Sequence, residues 1–149
     1  MGGDVHKKGT LTINDLVNKA KAEEDFRKAG AIALFIGVVR GENPSGEEVE
    51  KIEIEAYEEV ARNSLIKICE DLKKREGIVD VQIHHFIGEF NVGEDLVYVL
   101  VAGSRRENVF PVLVEAVERY KKEAPIFKKE YTVDKEGNIK ASWLTERGI

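Results

Sequence analysis

Apolar positions along this chain fall into alternating stretches and helically spaced ones, and the boundaries between them outline the fold. Gly30 to Arg40 is nearly all apolar, which predicts a buried central strand ending on a charged residue. Val49 to Glu55 alternates as a strand. Val60, Ala61, Leu65, Ile68 and Leu72 then recur at helical spacing between Glu58 and Arg75, and Gly77 is placed to stop that helix. Val79 to Phe90 and Leu96 to Ala102 read as strands joined through Asn91-Val92-Gly93-Glu94-Asp95, whose glycine suits a hairpin. Ser104-Arg105-Arg106-Glu107 has the form of a capping box, so a helix is expected to run on to about Glu123, with Pro125 ending it. Ile126 to Val133 and Ile139 to Trp143 complete the strands, around a turn at Asp134 to Asn138.

Near the N-terminus, Leu11 to Ile13 reads as a short strand, with Asn14 capping a helix that reaches about Ala29. Residues 1–9 are expected to be mobile, and 41–48 form the clearest flexible loop. Strands in adjacent runs favour an α+β fold over a parallel doubly wound sheet. A length of 149 residues fits a single domain, 1–149, that buries roughly 68–70% of its unfolded surface.

Composition narrows the function. A net charge of -5 and a sequence pI near 5.4 argue against general nucleic-acid binding, which usually needs a strongly basic domain. The longest apolar stretch is far shorter than the ~20 residues that span a bilayer, and the N-terminus is too polar for a signal peptide, so a soluble, cytoplasmic protein is expected. The single cysteine, Cys69, excludes an internal disulfide and reads as a packing residue. His84 and His85 are adjacent on a strand and point to opposite faces, so they form no joint metal site. No metal and no cofactor is expected.

Against this acidic background, Ser104 to Lys129 carries seven Lys/Arg and four Glu. A basic island of that kind suits a small anion while the remaining surface repels polyanions. The apolar stripe of this helix reads as Phe110, Leu113 and Val117, with Ala116 and Tyr120 beside it, and Lys121 continues it at i, i+4, i+8 from Leu113, which projects its amine from the buried face of the helix. Snorkelling past the core edge, or neutralising the helix C-terminus, accounts for the same position. Glu115–Arg119 and Glu118–Lys122 read as outer-face ion pairs. Strand alternation separates Lys128 from Lys129 without deciding which one works. Arg105 and Arg106 oppose the dipole at the helix N-terminus, a cost more readily explained if they bind an anion. Arg40, at a strand end, reads as a ligand position or as an ordinary strand terminator.

Gly37-Val38-Val39-Arg40, His85-Phe86-Ile87-Gly88-Glu89-Phe90 with Gly93-Glu94-Asp95, Ser104-Arg105-Arg106, and Lys121-x-x-Ala124-Pro125-x-Phe127-Lys128-Lys129-Glu130 occur in that order. Together they resemble the large, catalytic subunit of molybdopterin synthase, the MoaE-like family, with the last element the specific one. The resemblance implies an α/β hammerhead with an additional antiparallel β subdomain. It also implies a sulfur transferase of molybdenum cofactor biosynthesis that converts cyclic pyranopterin monophosphate to molybdopterin. The implied partners are a small ubiquitin-like sulfur carrier, whose C-terminal Gly-Gly ends in a thiocarboxylate, and a second copy of the chain, a homodimer within a heterotetramer. Carried over by position, Lys121 and Lys128 match the reacting centre, and Arg40 and Arg106 match the substrate pocket. Arg105 stands beside Arg106 as a substrate-binding candidate where many members have histidine, and Phe86 replaces a common arginine. Arginine keeps its proton at any relevant pH, so Arg105 is no acid or base. Two readings without chemistry compete: a receptor for a Gly-Gly tail or small anion, and a regulatory domain that binds a metabolite at a dimer interface.

Overall fold

A computed structural model describes residues 2–144; residues 1 and 145–149, which the expected 1–149 unit includes, lie outside the described residues. The elements are β1 (Gly3–Lys7), α1 (Ile13–Lys21), a 3-10 turn (Glu24–Lys28), β2 (Ala31–Val38), β3 (Glu48–Ala56), α2 (Glu58–Lys73), β4 (Ile78–Asn91), β5 (Asp95–Gly103), α3 (Arg106–Glu123), β6 (Ile126–Val133) and β7 (Ile139–Leu144). The strands form one sheet in the order β2-β5-β4-β3-β6-β7, antiparallel throughout, with β1 added parallel to β4. This is the α+β class expected from strands in adjacent runs. Helix α2 packs on β1 and β4, and α3 on β5 and β2.

The fourteen-residue β4 is the frame. Its first half pairs with β5 along one edge; on the other edge β1 takes Ile83 to Ile87 and β3 takes Gly88 to Asn91. The handover falls at Gly88, whose φ of 124° lies where side-chain-bearing residues are strained. That conformation turns one continuous strand from the first set of partners to the second.

Several local expectations fail, each for a packing reason. The terminus expected to be mobile is strand β1. Gly3 lets it lie against α2, because a Cβ there would meet the Leu65 carbonyl carbon at 2.5 Å and the Ile66 nitrogen at 2.6 Å. A side chain on Gly2 would run into the Val81 carbonyl oxygen. Hydrogen bonds then tie β1 down from the side. Gln82 spends both amide hydrogens on the Leu16 carbonyl and Asp80, so its oxygen accepts from His84 Nε2–H at 3.1 Å, leaving His84 Nδ1 to accept from His6 Nε2–H at 2.8 Å.

Leu11 to Ile13 forms no strand. Thr12 caps α1 in a reciprocal capping box with Asp15, and the helix gives way to the 3-10 turn instead of reaching Ala29. Strand β2 is an edge strand, not a central one, and exposes Ile36 and Val38. At α3 the anticipated box is absent: Arg105 takes the N-cap without a side-chain bond, while Ser104 Oγ donates to Asn108 Oδ1 at 3.1 Å. The buried stripe of α3 is Val109, Val112, Ala116 and Tyr120, one position away from the stripe read in the sequence, and Phe110 is exposed. The ion pairs are rearranged too. Arg119 bonds Glu123 and Asp71, and Glu115 pairs with Arg75.

A Cβ on Gly88 would meet nothing closer than the Lys8 Cβ at 3.9 Å, so only backbone strain opposes a side chain there. Gly88→Ala is expected to lower unfolding free energy by about 1–3 kcal/mol. Urea denaturation with an unchanged m-value measures it, and a midpoint equal to that of the unaltered protein would contradict the strained handover.

Candidate active site

The β2–β3 connection, the end of α3, and strands β2, β3, β5 and β6 line a cavity of about 290 Å³. Phe35, Ile52 and Val97 give it apolar walls; Arg40, Lys121 and Lys128 supply cations, and Glu42 and Glu130 carboxylates. A larger hollow of about 540 Å³ lies at the β6–β7 turn, lined largely by exposed loop residues and without these amines.

Two local rules bring the lysines together. The residue before a proline is pushed out of helical geometry, and Ala124 accordingly has ψ of 130°, so α3 stops and β6 begins within two residues. Lys121, in the last helical turn, therefore faces Lys128, the third residue of β6. Alternation along β6 buries Lys128, Glu130 and Thr132 and turns Phe127, Lys129 and Tyr131 to the other face. That settles which of the neighbouring lysines enters the cavity. Lys129 instead lies over the rings of Tyr131 and Trp143, at 5.6 and 5.5 Å.

Lys128 is only 7% exposed. Burial, and after it the positive charge of Lys121, lower its amine from the usual lysine range to about 8. Glu130, equally buried, accepts from Asn43 Nδ2 at 2.9 Å. Asn43 Oδ1 in turn accepts from the backbone amides of Ser45 and Glu47, so the segment read as a flexible loop is pinned to the cavity through one side chain. His85, fully buried behind this wall, packs edge-on against Tyr120 with ring centroids 5.7 Å apart.

Of the residues singled out in the sequence, the structure brings Arg40, Lys121 and Lys128 to one cavity. Arg105 and Arg106 are exposed at the opposite end of α3, roughly 22 Å along the axis from Lys121 at about 1.5 Å per residue. Arg106 lies 3.5 Å from Glu107. Asn43, Glu130 and His85 carry no site role in the sequence analysis, although Glu130 and His85 fall within the elements of the resemblance. Strand alternation already put Glu130 on the face of Lys128, whereas nothing local marks Asn43. Cys69 is buried in the α2 core, and burial pushes its thiol up to about 12, which leaves it un-ionised and unreactive.

Fold and cavity define an α+β protein with a paired-lysine pocket. Residues 5–123 match the family model described as MoaE protein, and the chain belongs to that family. It is 39% identical to a protein of Haloferax volcanii named probable molybdopterin synthase, over 85% of this chain and 49% of that protein. The chain thus spans about half the length of that relative. With a molybdopterin synthase catalytic subunit of Pyrococcus abyssi the identity is 36%, over 78% of this chain and 85% of that one. The crystal structure of molybdopterin synthase from Staphylococcus aureus superposes with a TM-score of 0.79 at 26% identity, covering 97% of both chains.

Replacing Lys121 with methionine keeps the bulk and removes the charge that Lys128 feels. Lys121→Met is expected to raise the Lys128 titration midpoint above that of the unaltered protein, which NMR of the lysine side-chain carbons reads directly. An unmoved midpoint would show that the two amines do not sense each other.

Proposed function

We propose that the chain is the catalytic subunit of a cytoplasmic molybdopterin synthase. It transfers sulfur from the thiocarboxylated Gly-Gly terminus of a small ubiquitin-like carrier to cyclic pyranopterin monophosphate, giving molybdopterin. The observation that carries this reading is Lys128 buried beside Lys121 in a cavity that also holds Arg40. The names of the relatives support it. So does the burial of Cys69, because a chain with no reactive thiol must receive its sulfur from a partner.

Each residue then has a role in the chemistry. Arg40, exposed at the rim, holds the substrate phosphate. Lys121 draws in the thiocarboxylate, whose sulfur bonds to the pterin, and stabilises the oxyanion formed when water adds to the acyl carbon. The C–S bond then breaks, the sulfur stays on the pterin and the carrier leaves with a carboxylate end. Lys128, whose amine is poised near 8, exchanges a proton with the reacting centre. Its neutral form is also a competent transient nucleophile toward the acyl carbon. Arg105 and Arg106 lie too far along α3 to serve the cavity of their own chain. In this reading they reach it from the second copy in a homodimer, with one carrier subunit bound to each copy.

Lys121→Ala and Lys128→Ala are each expected to lower molybdopterin formation by about 10²–10³-fold with the fold intact. Assay with thiocarboxylated carrier and the pterin precursor decides this, and retained turnover in either variant removes that lysine from the reacting centre. Turnover also separates the enzyme from a receptor that merely holds the tail. Arg40→Ala is expected to raise KM for the pterin with a smaller effect on kcat.

The two-copy arrangement has its own test. Lys121→Ala and Arg106→Ala proteins, each inactive, are mixed and allowed to exchange subunits. The mixture is expected to regain about a quarter of the unaltered activity, because a twofold hybrid rebuilds one intact site. No recovery after verified exchange would place the arginines outside the site.

A further inference from the structure

His85 carries the one buried side-chain polar atom among the described residues that has no hydrogen-bond partner, its Nε2. Its Nδ1 lies 2.9 Å from the Phe86 carbonyl. A carbonyl only accepts, so Nδ1 bears the hydrogen and Nε2 presents a lone pair. Buried acceptors are nearly always satisfied, so one left open beside a reaction centre calls for a donor.

The candidate donors are few. The charges that bear on His85 are those of Lys128, the larger effect, and Lys121. Lys128 makes no hydrogen bond or ion pair among the described residues, and its flexible stem can swing Nζ toward the imidazole. Tyr120, which lines the cavity together with Lys121 and Lys128, meets His85 edge-on and carries a hydroxyl donor of its own.

We infer that His85 is a positioning residue for Lys128: its neutral imidazole accepts an N–H of the amine at Nε2 and holds Nζ at the cavity wall beside Lys121. The inference rests on the placement of Lys128 in the active site proposed above, but the contact itself needs no substrate. His85 is fully buried and does not line the cavity, so it acts only through the lysine. An imidazole in this role has to stay uncharged. Burial, with Lys128 after it, holds its pKa down to about 3, so it remains an acceptor wherever Lys128 titrates. The titratable groups facing the pair are Tyr120 and Lys121 on α3, Glu130 on β6, and Arg40 and Glu42 on the β2–β3 connection.

Two measurements on the whole chain test this. In the unaltered protein, the ¹⁵N signal of His85 Nε2 is followed from pH 6 to 10 by NMR. It is expected to move with a midpoint equal to that of the Lys128 amine, and in Tyr120→Phe as well. A flat Nε2 signal overturns the inference, as does a response lost in Tyr120→Phe. The second measurement compares His85→Phe, which fills the space without an acceptor, with His85→Gln, which restores an acceptor near the same place. Losing a bond to its charged form, Lys128 is expected to titrate lower in His85→Phe and to recover in His85→Gln. Equal midpoints in both variants and the unaltered chain overturn the inference.

Activity separates this inference from the functional reading. If the chain transfers sulfur, His85→Phe is expected to lower kcat by about ten-fold or more with KM nearly unchanged, and to shift the pH–rate profile with Lys128. If it does not, the NMR arms still decide the contact. Should His85→Phe fail to fold, the titration of the unaltered protein decides it alone.

Discussion

One continuous strand, β4, sets the geometry of everything else. It pairs with β5 through its first half and with β3 through its second, so both parts of the sheet take their positions from a single backbone. The changeover requires a positive φ that glycine adopts at little cost, and Gly88 occupies it. The strands thus arranged, together with the end of α3, enclose the cavity. The carboxyl half of β4 also fixes β3, and β3 fixes β6 and Lys128 with it.

The cavity exploits that frame to do something costly, which is to hold an amine out of water. An isolated ammonium resists burial, and two of them close together resist it more. The structure accommodates Lys128 by lowering its basicity and by leaving one side of the amine open to the cavity, where an anion can complete its surroundings. Asn43 donates to Glu130, and the cavity lining holds three cations against two carboxylates.

Where local rules were overruled, a tertiary contact did it. Ser104 and Glu107 had the residues for a capping box, yet Ser104 turned to Asn108, whose amide reaches the Glu76 carbonyl across the neighbouring turn. The N-terminus expected to be mobile is instead strand β1, and the missing side chains of Gly2 and Gly3 are what allow it to approach its neighbours. The apolar run at Ala31 to Val38 is as hydrophobic as a central strand; nothing in it reveals that its outer edge has no strand partner among the described residues. A stripe on α3 read from alternate members of the same apolar set was displaced by one residue, and Lys121 still reached the cavity because it follows Tyr120 in the last turn.

The sequence by itself determined the α+β class, nearly every strand from β2 onward, the helix stop at Ala124-Pro125 and the lysines on either side of it. These follow from periodicity and proline geometry, which act over a few residues. Alternation alone placed Lys128 and Glu130 on one face of β6. Only the tertiary structure shows that this face is the buried one, so that Lys128, the lysine the family resemblance pointed to, enters the cavity while Lys129 does not. It also set Arg105 and Arg106 at the far end of α3, tied Asn43 to Glu130, and left His85 Nε2 buried without a partner among the described residues. Those outcomes depend on which distant segments meet and how far water is excluded between them, quantities that no short stretch of sequence contains.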